Sequence, residues 1–431
     1  MLTFYKKDKI KNMARFIIEG GKKLSGKVKI SGNKNSVLPL MAATLLTDED
    51  CVLENVPLIG DVLVMGEILK DLGAKVDGLG TSRLLINTRG VKKYKLKPEL
   101  VQKLRASILL LGPLLARFGK AEMRHPGGCV VGRRAVGTHF DALAALGAKT
   151  ITSEENYESE VKNPHSAYIF LDEASVTATE NAMMMASLIP GKTIIDDAAC
   201  EPHIEDLANF LNLMGAKVEG AGTNKIFIEG VKKLNGGKFT VGPDYIDAGT
   251  FAIAAAVTKS KITIEGIQEK DLFMILLYLK RMGVKYEVKG NILNIFPSKL
   301  VSLGRKFQTR PWPGFPTDLM SPFIVLATQA EGVSLCHDWM YESRMFFVDK
   351  LIAMGANITL CDPHRVLVSG PTKLRGKVVE SPDIRAGMAL VVAALCADGE
   401  SEIRNIEIVE RGYEKIEERL KLLGAKIRRV E

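Results

Sequence analysis

The chain has 431 residues, 46% hydrophobic and 25% charged, with a formal net charge of +9. That is long enough for two large domains, and the composition is ordinary for a globular protein. The positive charge suits anionic ligands, but its Lys and Arg are scattered and aromatics make up only 6%, which speaks against a nucleic-acid surface.

The N-terminus is basic and lacks an apolar run, so it is no secretory signal. Residues 1–14 read as an N-terminal extension, with Met13 an alternative start and the residues before it a disordered tail. A helix over Leu38–Leu46 is expected to run into a strand at Cys51–Val56. The apolar pattern Val62–Leu72 predicts a second helix, closed by Gly73 in the left-handed conformation, with an alternating strand after it. The same pair of phrases then recurs. Ala-rich or apolar helices at Ile108–Ala116, Ala182–Leu188, Phe251–Val257, Phe323–Thr328 and Ala389–Cys396 each precede a short strand pattern. The phrase Leu72-Gly-Ala-Lys-Val76 returns with its glycine at 147, 215, 283, 355 and 424, at spacings of 74, 68, 68, 72 and 69. A period this long does not fit a solenoid. It predicts six copies of a globular unit grouped into two lobes of three, with the chain crossing between lobes near Gly32–Asn35 and Pro243–Asp247.

The longest uncharged apolar run, Ala106–Ala116, is too short to span a bilayer. Six cysteines (51, 129, 200, 336, 361, 396) contain no Cys-x-x-Cys pair, which argues against zinc and against a disulfide framework and suits a reducing cytoplasm. Cys129 stands apart. It lies in Arg124-His-Pro-Gly-Gly-Cys129, followed by Arg133 and Arg134, a sequence that can continue neither helix nor strand. Cations beside a thiol favour its thiolate or hold an anionic substrate near it. An incidental cysteine in a surface loop is an equally open reading of this stretch alone. The other five cysteines read as structural.

Several blocks, in register with the repeats, resemble the enolpyruvyl transferase family, in particular its members that act on UDP-N-acetylglucosamine. The blocks are Ser31-Gly-Asn-Lys-Asn35, Arg105-Ala-Ser-Ile108, Pro126-Gly-Gly-Cys129, Ser175-Val-Thr-Ala-Thr-Glu-Asn181, Phe315-Pro-Thr-Asp318, Glu342-Ser-Arg344, Asp383-Ile-Arg-Ala386 and Arg411-Gly-Tyr-Glu414, covering Phe16 to Glu431. The resemblance implies a two-lobed inside-out α/β barrel of six βαβαββ-like subdomains. The first lobe would be 34–242; the second would be 15–33 with 243–431. It implies transfer of the enolpyruvyl group of phosphoenolpyruvate to the sugar 3-hydroxyl, by addition and elimination with release of phosphate, the first committed step of peptidoglycan synthesis. It implies no metal or organic cofactor, no membrane insertion and no obligate protein partner. It also implies lobes that close on the substrates, with the Cys129 loop moving.

By the same resemblance Cys129 is the proton donor to C3 of phosphoenolpyruvate and Asp318 the base for the sugar hydroxyl. Lys34, Asn35, Arg134, Arg385 and Arg411 would bind phosphoenolpyruvate, with Lys34 and Arg411 also catalytic. Asn35, Arg105, Arg134, Ala135, Val136, Gly137, Thr138, Glu173, Ala174, Ser175, Val176, Asp318 and Met340 would bind the nucleotide sugar. His139, Arg344 and Asp383 would support the site. Taken alone, Asp318 reads as a helix N-cap, Arg385 and Arg411 as surface charges, Arg105 as a helix cation, Arg344 and Asp383 as a plain salt bridge, and His139 as a satisfied loop histidine. Ala135 and Gly137 depart from the family's usual Pro and Asp, Cys200 from a common Arg, and Trp312 from His or Tyr. These departures leave open another nucleotide-sugar acceptor, or a nucleotide-sugar-binding paralogue without activity.

Overall fold

The structure, a computed structural model, describes residues 14–127 and 136–431. Cys129, Arg134 and Ala135 therefore lie outside the described residues. Among the described residues no helix is long and apolar enough to cross a membrane.

All six recurring glycines have positive φ: 112° at Gly73, 98° at Gly147, 110° at Gly215, 83° at Gly283, 102° at Gly355 and 88° at Gly424. At each, an amphipathic helix has just ended and the chain must turn into a strand. Only glycine takes this left-handed conformation without a Cβ clash, which is why the phrase recurs.

The described residues form six open sheets, none closed into a barrel. The third shows the common plan. Strand Tyr168–Phe170 leads into buried helix Val176–Ala186, then strand Gly191–Asp196, outer helix Pro202–Met214 and the hairpin Lys217–Glu219 with Lys225–Gly230. The first strand runs parallel to Gly191–Asp196, and the hairpin adds antiparallel on its other side. Burial alternates along Lys225–Gly230, so one face meets the helices and the other meets solvent. The second sheet is reduced: its parallel edge is the single bridge Lys95↔Glu122. The sixth takes its last strand, Arg15–Glu19, from the start of the chain.

Two strands are exchanged. Ser25–Lys29 precedes the first buried helix, yet it pairs with Lys261–Glu265. Gly237–Thr240 precedes helix Tyr245–Val257, yet it pairs with Asp50–Glu54. The two connections lie against each other at the bridge Gly32↔Pro243. There the Asn33 N–H donates to the Gly242 carbonyl at 2.7 Å and the Asp244 N–H to the Ser31 carbonyl at 3.0 Å.

Two apolar clusters divide at the same place. One gathers buried residues from Ala14–Ile30 and Tyr245–Ile427, the other those from Val37 to Val241. In the first, helices Tyr245–Val257, Met320–Thr328 and Ile384–Cys396 pack on one another and are buried almost throughout. Their Ala, Gly and Val content lets helix axes approach, and each fully buried Ile, Leu or Phe contributes about 1.5–3 kcal/mol. In the second cluster Gly112 serves close approach: a Cβ there would lie 2.4 Å from the Asn181 carbonyl oxygen.

The cysteines only partly match the expectation of structural roles. Cys51 and Cys336 are buried, and burial pushes their thiols up to about 11 and about 12. Cys361, however, is exposed, in strand Asn357–Asp362 where the register shifts between Leu360 and Asp362.

Candidate active site

Asp318 sits in a 3-10 turn, Thr317–Leu319, that runs straight into helix Met320–Thr328. Its side chain does not cap the helix. Both carboxylate oxygens face guanidiniums instead. Arg385 places Nε and Nη2 at 3.0 and 2.9 Å from Oδ2, and Arg344 places Nη2 at 3.3 Å from Oδ1. A fork on one oxygen and a second cation on the other fix the carboxylate firmly.

Arg344 is almost wholly buried, with Asp338 and Asp383 each 3.9 Å away. Burial opposes its charge, and Asp318, Asp383 and Asp338 together outweigh that, so its pKa is raised. For Arg385 burial is again opposed, by Asp318, then Tyr413 and Asp244, and the guanidinium is held well above its usual range. Asp383 caps helix Ile384–Cys396 by accepting the N–H groups of Arg385 and Ala386. It thereby fixes the backbone of Arg385 as well as facing Arg344. Asp338 accepts from the Thr317 hydroxyl and from the Met340 N–H, tying Met340 to the same cluster.

A second cluster lies where the exchanged strands meet. Lys34 opens helix Lys34–Ala43 behind the N-cap Asn33, whose side chain accepts the Asn35 N–H. Lys34 Nζ is 3.0 Å from Asp61 Oδ2, and Arg411 Nε is 2.8 Å from Asp61 Oδ1. The Lys34 N–H lies 3.4 Å from Asp244 Oδ2. Asp244 is buried, its pKa raised by that burial although Arg385 pulls it down. It stands between the two clusters.

The residues expected around the nucleotide form a third group. Gly137, Thr138 and His139 begin helix Gly137–Ala145, and the Thr138 hydroxyl donates to Asp172 at 2.8 Å and reaches Glu173 at 3.4 Å. The Ser175 N–H donates to the Glu173 carbonyl, and half-buried Ala174, Ser175 and Val176 carry the chain into helix Val176–Ala186. His139 is a packed, satisfied side chain. Asn181 Nδ2 donates to its Nδ1 at 2.9 Å, which leaves Nε2–H to donate to Thr177 at 2.9 Å. Burial, then the nearby charge of Arg105, lowers its pKa to about 3. The hydrogen bonds of Thr138, Glu173 and Ser175 stay within this group, so no such bond among the described residues joins them to Asp318 or Lys34.

Three acidic residues of these clusters, Asp61, Asp244 and Asp338, do not stand out as site residues in the amino-acid sequence. Asp61 reads as an ordinary first-turn helix acid. Glu201 accepts the Cys200 and Trp312 N–H groups and its own, and burial pushes it up to about 6. Among the described residues no group of three or more His, Cys, Asp and Glu is placed to hold a metal.

The chain matches the EPSP synthase (3-phosphoshikimate 1-carboxyvinyltransferase) family over residues 18–420. It is 48% identical to the UDP-N-acetylglucosamine 1-carboxyvinyltransferase of Treponema denticola, covering 96% of this chain and 99% of that one. The protein of the same name from Bradyrhizobium diazoefficiens is also 48% identical, over 96% of this chain and 98% of its own. The chain belongs to the UDP-N-acetylglucosamine 1-carboxyvinyltransferase family. It is a transferase by that membership, with a mixed α/β fold shared across the wider group. The crystal structure of the enolpyruvyl transferase NikO from Streptomyces tendae superposes with a TM-score of 0.87 at 25% identity, over 97% of this chain and 99% of that one. An EPSP synthase from Acinetobacter baumannii shares the fold at a TM-score of 0.74 and 20% identity, over 97% of this chain and all of that one. Among the described residues the Asp318 and Asp61 clusters each gather several buried opposite charges, and Arg419 with Asp247 at 2.6 Å is a further buried pair.

Proposed function

We propose that this chain transfers the enolpyruvyl group of phosphoenolpyruvate to the 3-hydroxyl of UDP-N-acetylglucosamine, releasing phosphate, as a cytoplasmic step of peptidoglycan synthesis. The observation that carries the reading is the pairing of two charged clusters across Asp244, in a chain with near-full-length similarity to that family. One cluster ends in the cations Lys34 and Arg411. The other presents the carboxylate Asp318.

Phosphoenolpyruvate carries a phosphate and a carboxylate, and Lys34, Arg385 and Arg411, with Arg134 and Asn35, supply their donors. Guanidiniums suit both groups because each bond pair also fixes orientation. Cys129 delivers a proton to C3, which leaves an oxocarbenium-like centre at C2. Asp318 takes the proton of the sugar 3-hydroxyl as its oxygen bonds to C2. Each carboxylate oxygen has two lone pairs, and we assign Oδ1, which makes the longer 3.3 Å contact to Arg344, as the acceptor. From the tetrahedral ketal a proton leaves C3 and the C2–O bond to phosphate breaks, giving the enolpyruvyl ether. Holding both reactants in one orientation supplies much of the rate. Arg105, Thr138 and the 173–176 segment hold the nucleotide sugar, together with Val136, Gly137 and Met340. His139, Arg344 and Asp383 position their neighbours.

The architecture we propose is two lobes, 34–242 and 15–33 with 243–431, each of three βαβαββ-like units with helices inside and sheets outside. The six sheets, the two apolar clusters and the exchanged strands support it.

The test is phosphate release from phosphoenolpyruvate in the presence and absence of UDP-N-acetylglucosamine, for the wild type and Cys129→Ala. Release that needs the nucleotide sugar and collapses in the variant is expected. Release that is independent of the sugar, or unchanged in Cys129→Ala, would overturn the reading.

A further inference from the structure

Asp61 is nearly inaccessible and lies in the first turn of helix Gly60–Leu72. An acid there ordinarily serves the helix, either as a cap or against the dipole. Asp61 does not cap: the N-cap position is Ile59, and no side chain accepts from the first turn. Its two oxygens go elsewhere, Oδ2 to Lys34 Nζ at 3.0 Å and Oδ1 to Arg411 Nε at 2.8 Å. Lys34 opens a helix whose apolar residues lie in the Val37–Val241 cluster, while Arg411 lies between Val409 and Tyr413 of the other cluster, 350 residues from Asp61 in the chain. The strip around Asp61 is fixed to the Arg411 segment twice more. The Leu58 N–H donates to Glu414 Oε2 at 3.2 Å, and Gly60 lies so close that a Cβ there would be 3.4 Å from Arg411 Cγ.

The donor count shows what this arrangement leaves over. Lys34 has three N–H donors and gives one to Asp61. Arg411 has five and gives the Nε–H, the one nearest its backbone. Among the described residues, neither terminal nitrogen of Arg411 has a hydrogen-bond partner. One carboxylate between two cations also leaves a surplus of one positive charge. We infer that Asp61 is a positioning residue for the phosphoenolpyruvate site: it grips both cations and sets their uncommitted donors toward the substrate anion. This rests on the proposed reaction, in which Lys34 and Arg411 bind phosphoenolpyruvate.

Two other roles make opposite predictions. If Asp61 only competed with the substrate for these cations, removing its charge would tighten phosphoenolpyruvate binding. If it were only a bond between the two halves of the chain, removing it would lower stability and impair both substrates alike. Steady-state phosphate release by the full chain separates the three. For Asp61→Asn we expect KM for phosphoenolpyruvate to rise about tenfold, with KM for UDP-N-acetylglucosamine within about twofold of wild type. An unchanged or lowered KM for phosphoenolpyruvate overturns the inference, as does a parallel rise in both KM values. Should Asp61→Asn not fold, Asp61→Glu, which keeps the charge but shifts it by one methylene, is read by the same criterion. A wild type that releases no phosphate with UDP-N-acetylglucosamine overturns the reaction and this inference together. An active wild type with insensitive variants overturns the inference alone.

Discussion

Replacing Arg344 by Met tests the charge cluster most directly. Arg344 has a side chain only 1% exposed, with carboxylates at 3.3, 3.9 and 3.9 Å. At an effective dielectric of 20, each such pair is worth about 4–5 kcal/mol in gross Coulomb energy. Most of that offsets the desolvation of four charged groups, so the sum is not the stability contribution. What the variant exposes is the other side of the balance. Met fills a similar volume but leaves Asp318, Asp338 and Asp383 around an apolar side chain, and the first of these loses its guanidinium on Oδ1 while keeping the Arg385 fork on Oδ2. Removing one partner from a buried ion group costs about 3–5 kcal/mol. Arg344→Met should therefore lower the unfolding free energy by about that amount, read from the urea midpoint at constant m-value. Arg344→Lys should cost less than Arg344→Met, since it keeps the charge and loses only the fork. A loss below about 1 kcal/mol for Arg344→Met would refute the claim that the cluster depends on this cation.

Two further variants probe the nucleotide side. His139 is held at about 3 against an ordinary 6.5, so its contribution to stability is full above pH 6.5 and is lost as the pH falls toward 3. His139→Gln should flatten the acid side of the stability profile in that window, in part only, because buried His203, lowered to about 4, shares it; an unchanged profile would contradict the assignment. Gly137→Asp should be accommodated, since a Cβ at that position would meet no atom of the described residues within 4 Å and the first turn of its helix holds no acid. A stability gain of about 1 kcal/mol is expected in the denaturant midpoint, from the helix dipole and the loss of glycine entropy.

What the sequence discloses follows how local each feature is. The six glycines were legible because a helix stop and a left-handed φ are decided within a few residues. The buried helices were legible because their small apolar residues leave no polar face. The exchange of Ser25–Lys29 and Gly237–Thr240 was not legible from strand pattern, because alternation records which face is buried and not which strand lies alongside. Asp318 shows the same limit. Its local setting suggests a cap, and only Arg344 and Arg385, distant in sequence, turn it into an ion-paired carboxylate. Asp61 was invisible for the same reason, since a first-turn acid looks alike whether it faces water or two buried cations. For His139 the local reading was the nearer one: the resemblance makes it a support of the site, taken alone it reads as a satisfied histidine, and Asn181 and Thr177 lie at its two ring nitrogens.

The charges of the two clusters are divided unevenly, and the division has a consequence for the order of the chemistry. Lys34 and Arg411 face one carboxylate, Asp61, and retain one positive charge. Arg344 and Arg385 face Asp318, Asp338 and Asp383, with Asp244 also acting on Arg385, so carboxylates outnumber cations there. A site polarised in this way favours an anion at one end and proton uptake at the other. On the proposed reaction this polarity puts the phosphate of the substrate, and phosphate as product, at the Lys34 end and the hydroxyl proton at Asp318. Inorganic phosphate should then inhibit competitively against phosphoenolpyruvate. Lys34→Met should weaken that inhibition about tenfold or more, as expected for losing a charge-assisted contact of about 1.5–3 kcal/mol. Asp318→Asn should leave phosphate inhibition nearly unchanged while lowering kcat by about 10²–10⁴, the range for a lost general base. Equal effects of the two variants on phosphate inhibition would show that the ends of the site are not separated, and the assignment of Asp318 as a base distinct from the anion site would fail with it.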